Sequence, residues 1–367
     1  MVKIQAAVLR DKGGRFNFES IDVDGPQAGE VLVRIVATGV CHTDISVRDQ
    51  YIPVALPAVL GHEGAGIVEA VGDGVTKVKP GDSVVLSYGF CGACANCRRS
   101  RYSCCSLMPA LNFGGKRLST GRSPYSDAAG APVSGLFFGQ SSFASHSLAP
   151  ERNVVKVRGD VPLELMGPLG CGIQTGAGTV MNTLKPSSGD SIVVFGAGSV
   201  GLSAVMAARV VGCATIIAVD LHRSRLDLAR ELGATHVLKA DEVDVVAEIV
   251  RLTGDGAQFS VECTGSPKVL RQAVESLRVT GVAAMVGAAP RGTEVSLPTG
   301  LLGIGRTLKG VVEGDSIADL FIPELIELWR QGRFPFDKLI RRYPMAQINE
   351  AIAASESGEV LKPVLCN

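Results

Sequence analysis

Five of the ten cysteines of this 367-residue chain fall within "FCGACANCRRSRYSCC", residues 90 to 105. Cys91, Cys94 and Cys97 stand three apart, and Cys105 follows at loop distance, giving C-x2-C-x2-C-x7-C. Four soft thiolates at such spacing suit a closed tetrahedral zinc that stabilises a lobe and does no chemistry. Spacing alone does not decide between Cys104 and Cys105 as the fourth donor. A second set of donors is scattered. "VCHTD" carries Cys41 and Thr43, "GHEGAG" carries His62 and Glu63, and "GPLGCGIQTG" carries Cys171. Each lies beside glycine, where backbone can bend around a site. Two cysteines and one histidine leave a fourth zinc position open, as catalysis requires. Singly, each has a plainer reading as a small buried side chain or a satisfied core histidine.

A third group points to a dinucleotide. Gly196-Ala197-Gly198-Ser199-Val200-Gly201 follows the apolar run "SIVVF" and opens the helical "LSAVMAARVVG". These glycines permit a tight turn, close approach to a pyrophosphate and close helix–strand packing. The helix start offers free N–H groups to phosphate. Asp220 ends the next apolar strand, at the place where a carboxylate accepts hydrogen bonds from ribose hydroxyls.

These residues require a scaffold of two kinds. Residues 3 to 90 read as short strands and turns, with "VLVRIVATGV" (31–40), "AGIVEAVG" (65–72) and "DSVVLS" (82–87) bounded by glycine or proline. Residues 106 to 140 read as an irregular functional excursion. From about residue 189, strand and helix alternate, which predicts a doubly wound parallel sheet. Helices are expected at 242–252, 267–278 and around "FIPELIELWRQG", with "TLKGVVEG" as a sixth strand. The tail is expected to return to the first domain.

Composition narrows the function. The 36 basic side chains balance 36 acidic ones. A neutral chain has no overall field to hold nucleic acid or an anionic membrane. That argues against reading Arg98, Arg99 and Arg101 as a nucleic-acid finger. Residues 192 to 208 are uncharged but short for a membrane span and interrupted by glycine. The N-terminal apolar run meets Arg10, Asp11 and Lys12 too soon for a signal peptide. The expected compartment is the reducing cytoplasm, where thiols bind metal rather than pair.

With these motifs in order, the chain resembles the medium-chain, zinc-dependent alcohol dehydrogenases along essentially its whole length. "GHEGAGIVEAVGDGV" is similar to their signature, and the four-cysteine lobe, "GCGIQTGAGTV" and GAGSVG follow in the family's sequence. "CHTDISVRDQ", "FFGQSSFA", "FIPELIELWRQGRFPFDKLI" and "LKPVL" look most like the aryl-alcohol (benzyl alcohol) dehydrogenases of bacteria. The resemblance implies an α/β chain with a GroES-like β-rich catalytic domain at 1–172, completed by 314–367, and a Rossmann NAD-binding domain at 173–313. It implies a catalytic zinc on Cys41, His62 and Cys171 with Glu63 behind it, and a structural zinc on Cys91, Cys94, Cys97 and Cys105. Asp44 is expected to orient His62, and Thr43 to relay the alcohol proton. His42 and Lys362 are expected near the cofactor phosphates, Arg225 near the adenosine ribose, and Val286 among the cofactor contacts. Ser46 stands where many members place a histidine at the outer end of the proton relay. Tyr51, Ile52, Phe113 and Phe137 are candidate pocket walls. The expected reaction is reversible oxidation of a benzyl-type alcohol by NAD, in a homodimer or homotetramer. The alternatives are a glutathione-dependent formaldehyde dehydrogenase, a geraniol-type alcohol dehydrogenase and a non-enzymatic zinc or nucleotide-binding protein.

Overall fold

The computed structural model describes all 367 residues and separates into two compact units. The first comprises Met1–Cys171, Ile317–Pro323 and Asp337–Asn367, and the second Gly172–Ser316 and Glu324–Phe336.

The first unit is built on two sheets. One runs, in spatial order, Ala58–Val59, Val2–Leu9, Phe16–Val23, Tyr125–Ser126 and Pro132–Val133. The other centres on Glu30–Gly39, which pairs antiparallel with Gly64–Val71, with His146–Pro150 and with the final strand Lys362–Cys366. That last pairing brings the tail back to the start of the chain, Val364 opposite Gly39. In the strand at 16–23, Ile21 and Val23 are buried on one face, with Ser20 exposed and Asp22 partly exposed on the other. The excursion at 106–140 is more ordered than its composition suggests: it holds a helix at Met108–Phe113, two short strands and a 3-10 turn at Phe137–Gly139. Arg117 fastens it. Its guanidinium, 5% exposed, donates from Nε and Nη2 to both oxygens of Glu30 at 2.8 and 2.9 Å and pairs with Asp24.

The second unit carries six parallel strands in the order 236–239, 215–220, 191–195, 257–262, 277–285 and 307–310. Numbered along the chain this is 3-2-1-4-5-6, the doubly wound order whose crevice lies at the carboxyl ends of the first strands. Ser191–Phe195 is buried throughout, as a parallel strand covered on both faces must be. Val193, Phe195, Ile217 and Val219 meet in its core, each burial worth about 1.5–3 kcal/mol. The helix Ser199–Val211 is buried from Gly201 through Ala208, which accounts for the long uncharged run. No helix is long and apolar enough to cross a membrane. The expected sixth strand is present at Thr307–Gly310 and forms an edge of the sheet. The helix around "FIPELIELWRQG" spans Ala318–Arg330 with Pro323 inside it.

Removing Arg117 leaves Glu30, whose side chain is 13% exposed, without its counter-ion. Arg117→Ala should therefore cost about 3 kcal/mol, read as a lower denaturation midpoint. Arg117→Lys should recover only part, because an ammonium cannot make the two-pronged contact. An unchanged midpoint in the alanine variant contradicts this account.

Candidate active site and metal sites

The first donor set begins at a helix start. Cys41 caps the short helix His42–Arg48, and Asp44, in its first turn, returns to accept the Cys41 N–H at 3.0 Å. The same carboxylate accepts from Gly61 N and faces His62 Nδ1, both at 3.1 Å, and is fully buried. Three interactions thus fix one anion and, through it, the tautomer and tilt of His62, with Nδ1 carrying the proton. His62 Nε2 is buried and makes no hydrogen bond. The ring is held on its faces by Phe138, stacked at 4.4 Å, and edge-on by Phe137 at 5.3 Å.

Cys171 follows the turn Gly167–Gly170 and brings its thiol into the same place. The donor atoms of Cys41, His62, Glu63 and Cys171 all lie within 4.8 Å of one another. A hydrogen bond from Cys171 pulls the Cys41 thiol well below its ordinary range, against the opposing effect of burial. Burial works to lower the His62 pKa, yet it stands well above the usual value because the Asp44 and Cys41 charges outweigh burial. A thiol inclined to ionise, a buried nitrogen without a partner and a second converging cysteine are what a zinc site with an open position requires.

Glu63 points to the other side. Both its oxygens take the Lys362 Nζ at 2.9 Å, and Lys362 also donates to Val40 O at 3.1 Å. Burial pushes the Glu63 carboxyl up; the same burial works to lower Lys362, but Glu63 and Cys41 raise it, so the ammonium stays charged. This corrects one expectation. Lys362 is 2% exposed and committed to a buried carboxylate, so its place is behind the donor set and not on a cofactor phosphate.

Thr43 Oγ1 lies 3.8 Å from Cys41 Sγ, and Ser46 is half-buried one turn further along the helix. His42 is exposed at the helix start. Of the candidate walls, Phe113 and Phe137 pack with Phe138 into an aromatic group, Phe113 lying 5.2 Å from Phe138. Ile52 is half-buried, and Tyr51 is 65% exposed. Phe138 and Gln140 escaped sequence reasoning as site residues. Their only signal was the stretch "FFGQSSFA", which carried resemblance but no donor pattern.

The second donor set is Cys91, Cys94, Cys97 and Cys105, whose sulfurs also lie within 4.8 Å of one another. The structure puts Cys105 in this group and leaves Cys104 exposed. Backbone N–H groups of Cys91 and Leu107 approach the Cys105 sulfur at 3.3 and 3.4 Å, and those of Ala93 and Cys94 approach Cys91 at 3.4 and 3.3 Å. Backbone amides of Ser106 and Cys97 bring the Cys94 thiol down to about 5, while burial pushes Cys97 up to about 12. Amides aimed at sulfur stabilise thiolates, the form that binds metal.

In the second unit the turn after Phe195 has its expected shape. Gly196 has φ +90°, and a Cβ on Gly201 would lie 1.8 Å from Gly196 O, so neither position admits a side chain. Asp220 accepts from Ala197 N at 2.7 Å and His222 N at 2.8 Å, so it ties the turn to its own strand end. Arg225 stands 3.9 Å from the same carboxylate, whereas Arg223 is drawn to Glu242 at 2.9 Å. A cavity of about 580 Å³ opens here, lined by Gly196, Gly198, Asp220, Arg225 and Thr264 among others, a size suited to a nucleotide moiety. Ser199 and Val200 begin the helix beside it, and Val286 N donates to Glu262 O at the end of a neighbouring strand.

Comparison with known proteins agrees with both units. Residues 27–159 match the model of the alcohol dehydrogenase GroES-like domain, and residues 199–329 that of the zinc-binding dehydrogenase. The chain is 48% identical over 366 residues to the geraniol dehydrogenase of Castellaniella defragrans, covering 99% of this chain and 98% of that one. The crystal structure of benzyl alcohol dehydrogenase from Acinetobacter calcoaceticus matches with a TM-score of 0.97 at 48% identity, over 100% of this chain and 99% of that one. That of an alcohol dehydrogenase zinc-binding domain protein from Burkholderia ambifaria matches with a TM-score of 0.98 at 53% identity, with 100% and 99% covered.

The sulfur positions make a matched test. Cys105→Ser should lose about one equivalent of zinc and much of its soluble yield, since a closed thiolate site contributes folding free energy. Cys104→Ser should keep both, as measured by metal analysis of the purified proteins. The reverse pattern moves the donor to Cys104.

Proposed function

Because the chain belongs to the zinc-dependent medium-chain alcohol dehydrogenases, we propose that it oxidises a primary alcohol of the benzyl type to the aldehyde, reversibly, with NAD as acceptor. The observation that carries this reading is the convergence of Cys41, His62 and Cys171 around the bare His62 Nε2, with Phe137 and Phe138 against the same ring. In the overall reaction R–CH2OH and NAD+ give R–CHO, NADH and a proton. A zinc held by Cys41, His62 and Cys171 would supply the Lewis acidity, and a bound NAD the two-electron acceptor.

The protein's own groups do the rest. Asp44 keeps the His62 proton on Nδ1 and so keeps Nε2 free to donate to metal. Thr43, two residues from Cys41, takes the proton from the alcohol and passes it outward. Ser46 lies on the same helix, one turn on, and offers a hydroxyl but no base, so the last proton release goes to solvent. The aromatic group excludes water and gives a flat ring an apolar surface. A carbinol carbon conjugated to a ring or double bond yields a conjugated aldehyde, which favours benzylic and allylic substrates over simple ones. The 48% identity to a geraniol dehydrogenase supports the allylic alternative.

The same reading places the enzyme in the cytoplasm, where its metal-binding thiols stay reduced. It also makes it a homodimer or homotetramer. The strand Thr307–Gly310 is an open sheet edge, with exposed Val279, Met285, Leu302, Ile304 and Val312 on and beside the two outer strands, a surface suited to a second copy.

A substrate panel with NAD, followed at 340 nm, tests the activity. Benzyl alcohol should exceed ethanol in kcat/KM by about 100-fold, the equivalent of roughly 2.7 kcal/mol of apolar binding. Geraniol above benzyl alcohol turns the reading to the allylic class, and S-(hydroxymethyl)glutathione above both turns it to formaldehyde oxidation. No turnover of any alcohol leaves a non-enzymatic binding protein.

Cofactor choice follows from Asp220. A carboxylate at the ribose repels a 2′-phosphate, and like charges about 4 Å apart cost on the order of 4 kcal/mol near a surface. Asp220→Asn keeps an acceptor for the turn and removes the charge. Its NADP-to-NAD ratio of kcat/KM should rise at least about tenfold, or 1.4 kcal/mol. Equal wild-type efficiency with the two cofactors leaves Asp220 as only a brace for the turn.

A further inference from the structure

Gln140 has no part in the donor sets, yet it is fully buried beside one of them. Its Nε2 donates to His62 O at 2.9 Å, and its Oε1 accepts from Gly64 N at 3.0 Å. The carbonyl between those two groups, that of Glu63, accepts from Gly39 N at 3.0 Å. The backbone that presents His62 and Glu63 is therefore held by three hydrogen bonds at two successive peptides, both of them gripped by one side chain. Gln140 is itself fixed from the far side, its own carbonyl accepting from Ser147 Oγ at 2.6 Å and Tyr125 OH at 3.3 Å.

The surrounding loop repeats the pattern. Ser141 Oγ donates to Val59 O at 2.7 Å, Ser142 N to Gly61 O at 2.9 Å and Phe143 N to Leu60 O at 3.0 Å. Phe138 covers the His62 ring. Leu136, Phe138 and Ser141 take up left-handed φ values of 53°, 51° and 62°, conformations that bulky residues adopt only under strong constraint. A Cβ on Gly64 would lie 3.1 Å from Gln140 Oε1 and 2.8 Å from Ser142 Cβ, so the glycine admits this close approach.

We propose that Gln140 is a positioning residue of the catalytic metal site, clamping the His62–Gly64 backbone so that the His62 ring meets the metal at a fixed angle. A hydrocarbon side chain of the same length would fill the space equally well. A side-chain amide at this reach supplies a donor and an acceptor from separate atoms to two adjacent peptide groups. The inference rests on the assignment of a metal to Cys41, His62 and Cys171.

The test uses purified holoenzyme and a coloured zinc chelator, following release over time well below each variant's melting temperature. The phase missing from Cys171→Ser identifies the catalytic site. Gln140→Met keeps the length and removes the side-chain hydrogen bonds to His62 O, Gly64 N and Ser87 O, and it should speed that phase by about tenfold or more while the cysteine-lobe phase stays unchanged. Should Gln140→Met not fold, Gln140→Glu retains the acceptor for Gly64 N and loses the donor to His62 O, and it should speed the same phase to a smaller degree. Release within twofold of wild type from whichever variant folds overturns the proposal. Equal acceleration of both phases also overturns it, since that indicates general loosening. A wild-type protein with no metal at this site overturns the metal assignment as well, whereas failure of Gln140 alone leaves the wild-type phases intact.

Discussion

At the centre of the first unit is a buried imidazole with one nitrogen held by a carboxylate and the other left bare. An unsatisfied polar nitrogen in the interior costs free energy, and here it stands next to two converging thiols. Every other charge in the neighbourhood is compensated. Asp44 has two backbone amides and His62, and Glu63 has the Lys362 ammonium at both oxygens. Beside these compensated charges the donor atoms of Cys41, His62 and Cys171 converge, the set proposed to hold a divalent cation.

Much of the first unit can be understood as the means of holding that arrangement. The short helix after Cys41 exists to return Asp44 beneath His62. The final strand crosses back over some 300 residues of chain to put Lys362 behind Glu63. The loop from Leu136 to Phe143 accepts three left-handed non-glycine residues and covers His62 with Phe138. Strain of that kind persists where the neighbours over-determine a conformation, and here hydrogen bonds from side chains and backbone do so.

In the second unit one carboxylate serves two ends. Asp220 binds the amides of Ala197 and His222, which locks the glycine turn onto the strand beside it. Its position at the mouth of the adjoining cavity is therefore set by the fold. In the proposed NAD-binding role, ribose recognition and the rigidity of the glycine turn would be coupled through the same side chain.

The elements of the second unit were legible in the sequence because parallel strands covered on both faces must be apolar without interruption and the glycine turn must follow one of them. The donors were legible for a similar reason: thiolate and imidazole have few substitutes as zinc ligands, and Cys91, Cys94 and Cys97 keep a regular spacing. Other features depend on which distant segments meet. The choice of Cys105 over its neighbour turned on which sulfur the loop buries. Lys362 looked like a phosphate contact until the last strand placed it on Glu63. Gln140 and Phe138 lie more than 70 residues from the histidine they hold, and no local pattern marks a glutamine whose partners are two backbone groups. Residue type and spacing determined which chemistry the chain can support; three-dimensional packing alone decided which buried groups orient it, because hydrogen bonds between segments far apart in sequence leave no periodic trace.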